Sequence, residues 1–401
     1  MSEVLLEVKK SPLESQMVIN MGPQHPSTHG VLRVILTLDG ERIVHADQEI
    51  GYLHTGMEKL AEYKKYNHVI TITDRMDYLN ATGNNLGFVL AVEKMLELEI
   101  PPRAQAIRVI LTELHRIASH AIWICTHGLE LGAMTLFFYG FRVREAVLQL
   151  IEATCGGRMM PSFFRVGGLM RDIPDGWTQR VLDFCDDFER DSMNEFETLL
   201  TNNPIFRMRT EGIGYISVED AIDWGMSGPS LRGSGLAHDI RRAHPYSGYE
   251  QYDFDIPTCT EGDVYARYRV RVEEMRQAVK IVRQAVHKLP SGRVKANAPR
   301  IVLPDRHLMK TQMDALIYHF LITGDGFPVP AGEVYFPVES PRGELGFYIV
   351  SDGGPKPYRL HVRAPSFANL QALPKLVEGL LIADVVAVIA SIDIVLGDVD
   401  R

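Results

Sequence analysis

Residues 32–44 alternate in a two-residue period. Leu32, Val34, Leu36 and Leu38 fall on one side, Asp39-Gly40 offers a tight turn, and Ile43 and Val44 resume the apolar run. The pattern predicts a β-hairpin with one buried face. Beyond residue 55 the period lengthens. Residues 88–99 read as a short apolar helix closed by Pro101-Pro102. Ile107, Ile110, Leu114, Ile117, Ala121 and Ile124 then follow at steps of three and four, which predicts a helix with one apolar stripe ending near Gly128. Residues 133–154 are apolar nearly all round, through Leu136, Phe137, Phe138, Phe141, Val147 and Ile151, and predict a helix inside a bundle. Gly156-Gly157 is its natural stop.

Trp177, Val181, Phe184, Phe188, Phe196 and Leu199 predict a further amphipathic helix, with Asp183, Asp186, Asp187 and Asp191 as a solvated outer face. Residues 202–262 hold no sustained period. Tyr268, Val272, Met275, Val279, Val282, Val286 and Leu289 then repeat at 4-3-4-3-4-3, a heptad seam suited to packing within a bundle. The end returns to β: residues 334–338, 345–350 and 358–362, with a turn at Asp352-Gly353. No internal repeat or flexible linker interrupts this. The expected class is α+β, mainly helical: a β-rich region at 1–55, a helical bundle core at 56–325, and a C-terminal β-hairpin region and tail at 326–401, all in one compact unit.

Composition narrows the function. The 401 residues are 46% hydrophobic and 23% charged, which excludes a disordered or fibrous chain. The net charge of −9 argues against nucleic acid as a partner. Residues 380–396 form the best apolar run, and Asp384 and Asp393 interrupt it short of the roughly 18–20 residues of a bilayer crossing. No signal-peptide core opens the chain. The expectation is a protein kept in the cytoplasm, touching a membrane only through a partner. Cys125, Cys155, Cys185 and Cys259 form no Cys-x-x-Cys pair, so they read as small buried hydrophobes rather than metal ligands.

Three clusters carry possible chemistry. Residues 22–30, GPQHPSTHG, hold His25 and His29 four apart; Pro26 and Gly30 disfavour a metal-binding helix there and favour a loop presenting one imidazole. Asp74-Arg75-Met76-Asp77-Tyr78 reads as a salt-bridged turn with one phenol turned inward. Residues 126–133, THGLELGA, place Glu130 between two strongly apolar helices, where a carboxylate is costly unless paired.

With these clusters, the stretches IGYLHTGMEKL (50–60), LRGSG (231–235), YRVRVEEMRQ (268–277), RGELGFYIVSDGG (342–354), APSFANL (364–370) and GDVDR (397–401) resemble the 49-kDa-type subunit of respiratory complex I, the proton-translocating NADH:quinone oxidoreductase. The resemblance runs from about residue 21 to the end. It implies descent from the nickel–iron hydrogenase large subunit, and hence a long helical bundle with peripheral β elements. The two Cys-x-x-Cys pairs a working hydrogenase needs are missing, so the resemblance implies no metal on this chain and a cavity turned over to a quinone. It implies His29 and Tyr78 as the donors to the quinone oxygens, with Glu130, Asp77 and Arg75 in support. Glu130 stands where relatives place an aspartate that orients the histidine.

The implied partners are a terminal iron–sulfur subunit whose cluster supplies the electrons, other peripheral-arm subunits, and a membrane subunit at the quinone entrance. The implied place is the cytoplasmic side of the bacterial inner membrane. Two departures stand out. Thr55 replaces an arginine common among relatives, and Met160 replaces a histidine beside the partner's cluster. Both remove nearby donors, which leans toward menaquinone over ubiquinone. A non-catalytic scaffold and a membrane-bound hydrogenase-like subunit remain the alternatives.

Overall fold

In a computed structural model the chain is described over residues 7–8, 16–25 and 29–401. Part of the histidine loop, residues 26–28, lies outside the described residues. The N-terminal region builds a four-stranded antiparallel sheet in the order β1 (Glu7–Val8), β2 (Met17–Met21), β3 (Arg33–Asp39), β4 (Arg42–Glu49). The predicted hairpin is β3–β4, with Asp39 opposite Arg42 and a bulge at Thr37/Leu38. Its apolar face of Val34, Leu36, Leu38 and Ile43 packs on the C-terminal helices Leu373–Val377 and Ile382–Ile392 in a small second core.

Five helices follow: α1 (Met57–Tyr63), α2 (Tyr66–Thr73), α3 (Ala81–Met95), α4 (Pro102–Glu130) and α5 (Met134–Cys155). Helix α3 begins seven residues before the position its apolar pattern suggests. Its first turns, Ala81 to Asn85, are polar yet buried, because Asn84 Nδ2 donates to the carbonyls of Thr73 and Asp77 and Asn85 Nδ2 donates to Asp74. Tertiary hydrogen bonds here outweigh weak helix propensity.

The roles of α4 and α5 differ from those their patterns suggest. Helix α4 is buried on every face from Ile107 to Ala121 and forms the axis of the bundle. Its polar face survives burial because it is paired: Arg108 holds Glu93 at 2.6 and 2.8 Å, Arg116 and Arg241 share Glu113 at 3.1 Å, and His120 meets Glu274 at 2.9 Å. Helix α5 lies at the periphery, leaving Met134 65% and Phe138 69% exposed.

The acidic helix α6 (Trp177–Asp187) continues as one rod to Thr201 through two π turns, Phe188–Ser192 and Glu197–Thr201. The heptad seam forms the helix Val264–His287, which packs along α4 inside the bundle as expected. After the short hairpin β5 (Phe164–Arg165) and β6 (Gly168–Leu169), a three-stranded antiparallel sheet completes the fold: β7 (Gly332–Ser340), β8 (Gly343–Ser351) and β9 (Arg359–Arg363). The chain is thus mainly helical α+β with small sheets. Among the described residues no helix is long and apolar enough to cross a membrane.

Candidate functional site

The tight β7–β8 turn carries Arg342 into the interior, where it is fully buried. Its Nη1 donates to Asp77 Oδ2 at 2.7 Å and to Ser119 Oγ at 3.0 Å. Its Nη2 donates to Asp393 Oδ1 at 3.2 Å and its Nε to the Asp393 carbonyl at 3.0 Å. One guanidinium therefore ties together the loop after α2, helix α4 and the C-terminal segment. A planar fork of five donors suits this role better than a lysine ammonium.

Three of the sequence-predicted residues, Asp77, Tyr78 and His29, stand around this hub. Tyr78, half-buried, sits in the loop joining α2 and α3. Burial and the Asp77 charge push its phenol above the usual range, while Arg342 pulls it back. The C-terminal turn closes on this loop at Gly397, where a Cβ would stand 2.5 Å from the Met76 carbonyl oxygen and 3.4 Å from the Tyr78 ring. His29 precedes β3 in a left-handed conformation, φ 51°, with its Nε2 buried and unpartnered among the described residues. Burial, reinforced by the Arg342 charge, lowers its imidazole to about 4. The ring is therefore neutral at pH 7, not poised near its ordinary 6.5.

Glu130 ends α4 with Oε2 buried and unpartnered among the described residues, and burial pushes its carboxyl up to about 8. No hydrogen bond joins Glu130 to His29 among the described residues. Asp77 points inward to Arg342. Arg75 points outward and caps its own helix by donating to the Thr71 carbonyl.

Other groups here escaped the sequence reading. His127, one turn before Glu130 on α4, has both ring nitrogens buried and without a hydrogen-bond partner among the described residues, and its ring lies 5.1 Å from Trp123 and 5.4 Å from Phe206. Burial and the Arg271 charge depress it to about 3. Asp393 and Asp398, on the returning C-terminal segment, are each pushed up to about 6 by burial. Asp400 accepts from the amides of Gly51 at 2.8 Å and Leu53 at 2.7 Å, and its carbonyl meets His54 Nδ1 at 2.5 Å. Arg342 opens one of the stretches that carry the family resemblance, but nothing near it in sequence suggests a role; its partners are too distant along the chain.

The site thus offers neutral donors, an imidazole and a phenol, near the fixed positive charge of Arg342, with Arg271 at 3.9 Å from Asp393. Asp393 and Asp398, both acted on by the Arg342 charge, change protonation near pH 6, and Glu130, at the end of α4, near 8. Such a set can receive negative charge and hand on protons. Among the described residues no group of three or more His, Cys, Asp or Glu side chains is arranged to hold a metal ion.

Comparison with known proteins gives a consistent picture. The family described as "Respiratory-chain NADH dehydrogenase, 49 Kd subunit" matches residues 130–401. The chain is similar to the first-numbered NADH-quinone oxidoreductase D subunit of Solibacter usitatus, 60% identical over 386 residues, covering 96% of this chain and 94% of that one. It is 60% identical over 388 residues to the second-numbered NADH-quinone oxidoreductase D subunit of Koribacter versatilis, covering 97% and 96%. It is 54% identical over 385 residues to the NADH-quinone oxidoreductase D subunit of Geobacter sulfurreducens, covering 96% and 98%.

Proposed function

The chain belongs to the family of the 49-kDa subunit of respiratory-chain NADH dehydrogenase, the D subunits of complex I, and from that premise we propose that the Arg342-centred site is where quinone is reduced. The chain is one part of an oxidoreductase complex. In this reading an iron–sulfur cluster on a neighbouring subunit supplies electrons, and the quinone enters past a membrane subunit. The complex then lies on the cytoplasmic face of the membrane. In the same reading the quinone is substrate rather than a resident cofactor of this chain.

Reduction of a quinone to a quinol takes two electrons and two protons and makes two O–H bonds. Tyr78 and His29 each face the headgroup with a hydrogen-bond donor; Tyr78 gives up its phenolic proton as negative charge reaches one quinone oxygen, whereas the neutral His29 must first gain a proton before it can deliver one to the other oxygen. For His29 the arithmetic is specific. A negative charge ~4 Å away at an effective dielectric constant of ~20 favours the imidazolium by about 4 kcal/mol. That is about three pH units, enough to bring a group near 4 to near neutrality. The imidazole then takes up a proton as the electrons arrive and passes it on. Asp393, Asp398 and Glu130 are the groups that resupply it, and their change of charge is where coupling to proton pumping begins.

The observation that carries this reading is the position of Arg342, whose charge acts on both His29 and Tyr78. The test is quinone reductase activity in membranes carrying His29→Ala or Tyr78→Phe. Each change is expected to lower turnover at least tenfold with normal assembly. Full activity in a normally assembled complex overturns the reading and favours a scaffold role.

A further inference from the structure

A cavity of about 280 Å³, lined by none of the site residues above, lies between α2, the β5–β6 hairpin and the helix Met313–Gly324. Its walls are mainly apolar, including Leu169, Val302 and Phe327. Arg165 lines it with no carboxylate within ion-pair distance among the described residues; the Asp74 charge reaches it only at longer range. Its Nε is buried and unpartnered, and its one side-chain contact of polar character is from Nη2 to Met170 Sδ at 3.9 Å. Asn67, also lining the cavity, spends its Nδ2 on the Ile322 carbonyl at 2.9 Å and leaves Oδ1 buried and unpartnered. Lys295, another cation on the wall, is already paired with Asp305 at 2.7 Å. A guanidinium drawn into an apolar wall without a counter-charge is costly, and an incoming carboxylate removes that cost.

The helix forming one wall is bare outside the cavity. Met313, Leu316, Ile317, Phe320 and Leu321 are 42–73% exposed. Exposed apolar side chains spaced along a 12-residue helix extend over ~18 Å, more than a ligand confined to the cavity covers. A small anionic molecule would satisfy Arg165 and leave this face in water. A protein segment satisfies both, and the chain is one member of a multisubunit complex.

We propose that a neighbouring subunit of the complex seats an apolar segment bearing one aspartate or glutamate here, its carboxylate on Arg165 and its apolar side chains against Ile317 and Phe320. The test uses the assembled complex with the photo-crosslinker benzoylphenylalanine at Thr323, an exposed position on the cavity rim. The expected adduct is with a single peptide of one neighbouring subunit, holding an acidic residue. Its yield should fall at least tenfold in Arg165→Glu and persist in Arg165→Lys. An adduct with lipid alone, no protein adduct in the intact complex, or an undiminished yield in Arg165→Glu overturns the proposal. None of these readouts depends on quinone reduction, so the two readings fail separately.

Discussion

Arg342 and Asp77 stand 265 positions apart in the chain and 2.7 Å apart in the fold, both buried. The pair joins the β7–β8 turn to the loop that carries Tyr78. It therefore fixes the phenol against the C-terminal segment rather than leaving it on a free loop.

Arg342→Met strands the Asp77 carboxylate and leaves Asp393 with only the longer Arg271 contact at 3.9 Å. Removing one member of a buried ion pair costs about 3–5 kcal/mol. Pulse proteolysis in urea on the assembled complex should show this chain destabilised by that order. The double variant Arg342→Met with Asp77→Asn should recover part of the loss. Equal stability of the single and double variants contradicts the pairing.

Gly397→Ala tests the closure of the C-terminal turn. The added Cβ meets the Met76 and Arg75 carbonyl oxygens at 2.5 and 3.2 Å, and backbone gives way less readily than a side-chain tip. The expected cost is about 1–3 kcal/mol, with a rise in quinone KM larger than the fall in kcat. Unchanged KM contradicts the contact.

The pH dependence separates into two opposite parts. Glu130 titrates near 8 in the fold and near 4.5 in the unfolded chain, so its protonated form favours folding. That stability is present below about pH 4.5 and is lost as pH rises to about 8. Asp393 and Asp398 act in the same sense between about 4 and 6. His29, lowered to about 4, works the other way, and its contribution is lost as pH falls from about 6.5 to 4. Glu130→Gln should therefore equal the parent near pH 4.5 and exceed it in stability at pH 8. A variant no more stable than the parent at pH 8 contradicts an unpaired, buried Glu130.

Met160 carries a prediction about the partner. Methionine does not titrate. If it stands beside the neighbouring cluster where relatives have histidine, the cluster's midpoint potential stays nearly flat from pH 6 to 8. A redox titration with a slope approaching the ~59 mV per pH unit of a one-electron, one-proton couple contradicts this placement.

The β3–β4 hairpin and the Val264–His287 seam were legible because each buries one face at a fixed period. The interchange of α4 and α5 was not. Period counts apolar positions, and α4 is central because buried ion pairs such as Arg108–Glu93 make its polar face acceptable inside. The start of α3 was hidden for a related reason, since Asn84 and Asn85 look like loop residues until their distant acceptors are present. At the site, His29, Tyr78 and Asp77 came from the stretches that carry the resemblance. Arg342 as the hub, His127 and the outward turn of Arg75 are tertiary facts, and the hub's partners lie up to hundreds of positions away.

Photoaffinity labelling with a quinone analogue in the competent complex tests the central claim most directly. The label is expected on the loop around Tyr78 or beside His29, and Arg342→Met should abolish it. A label confined to residues distant from both, in an enzyme that still reduces quinone at full rate, contradicts the account.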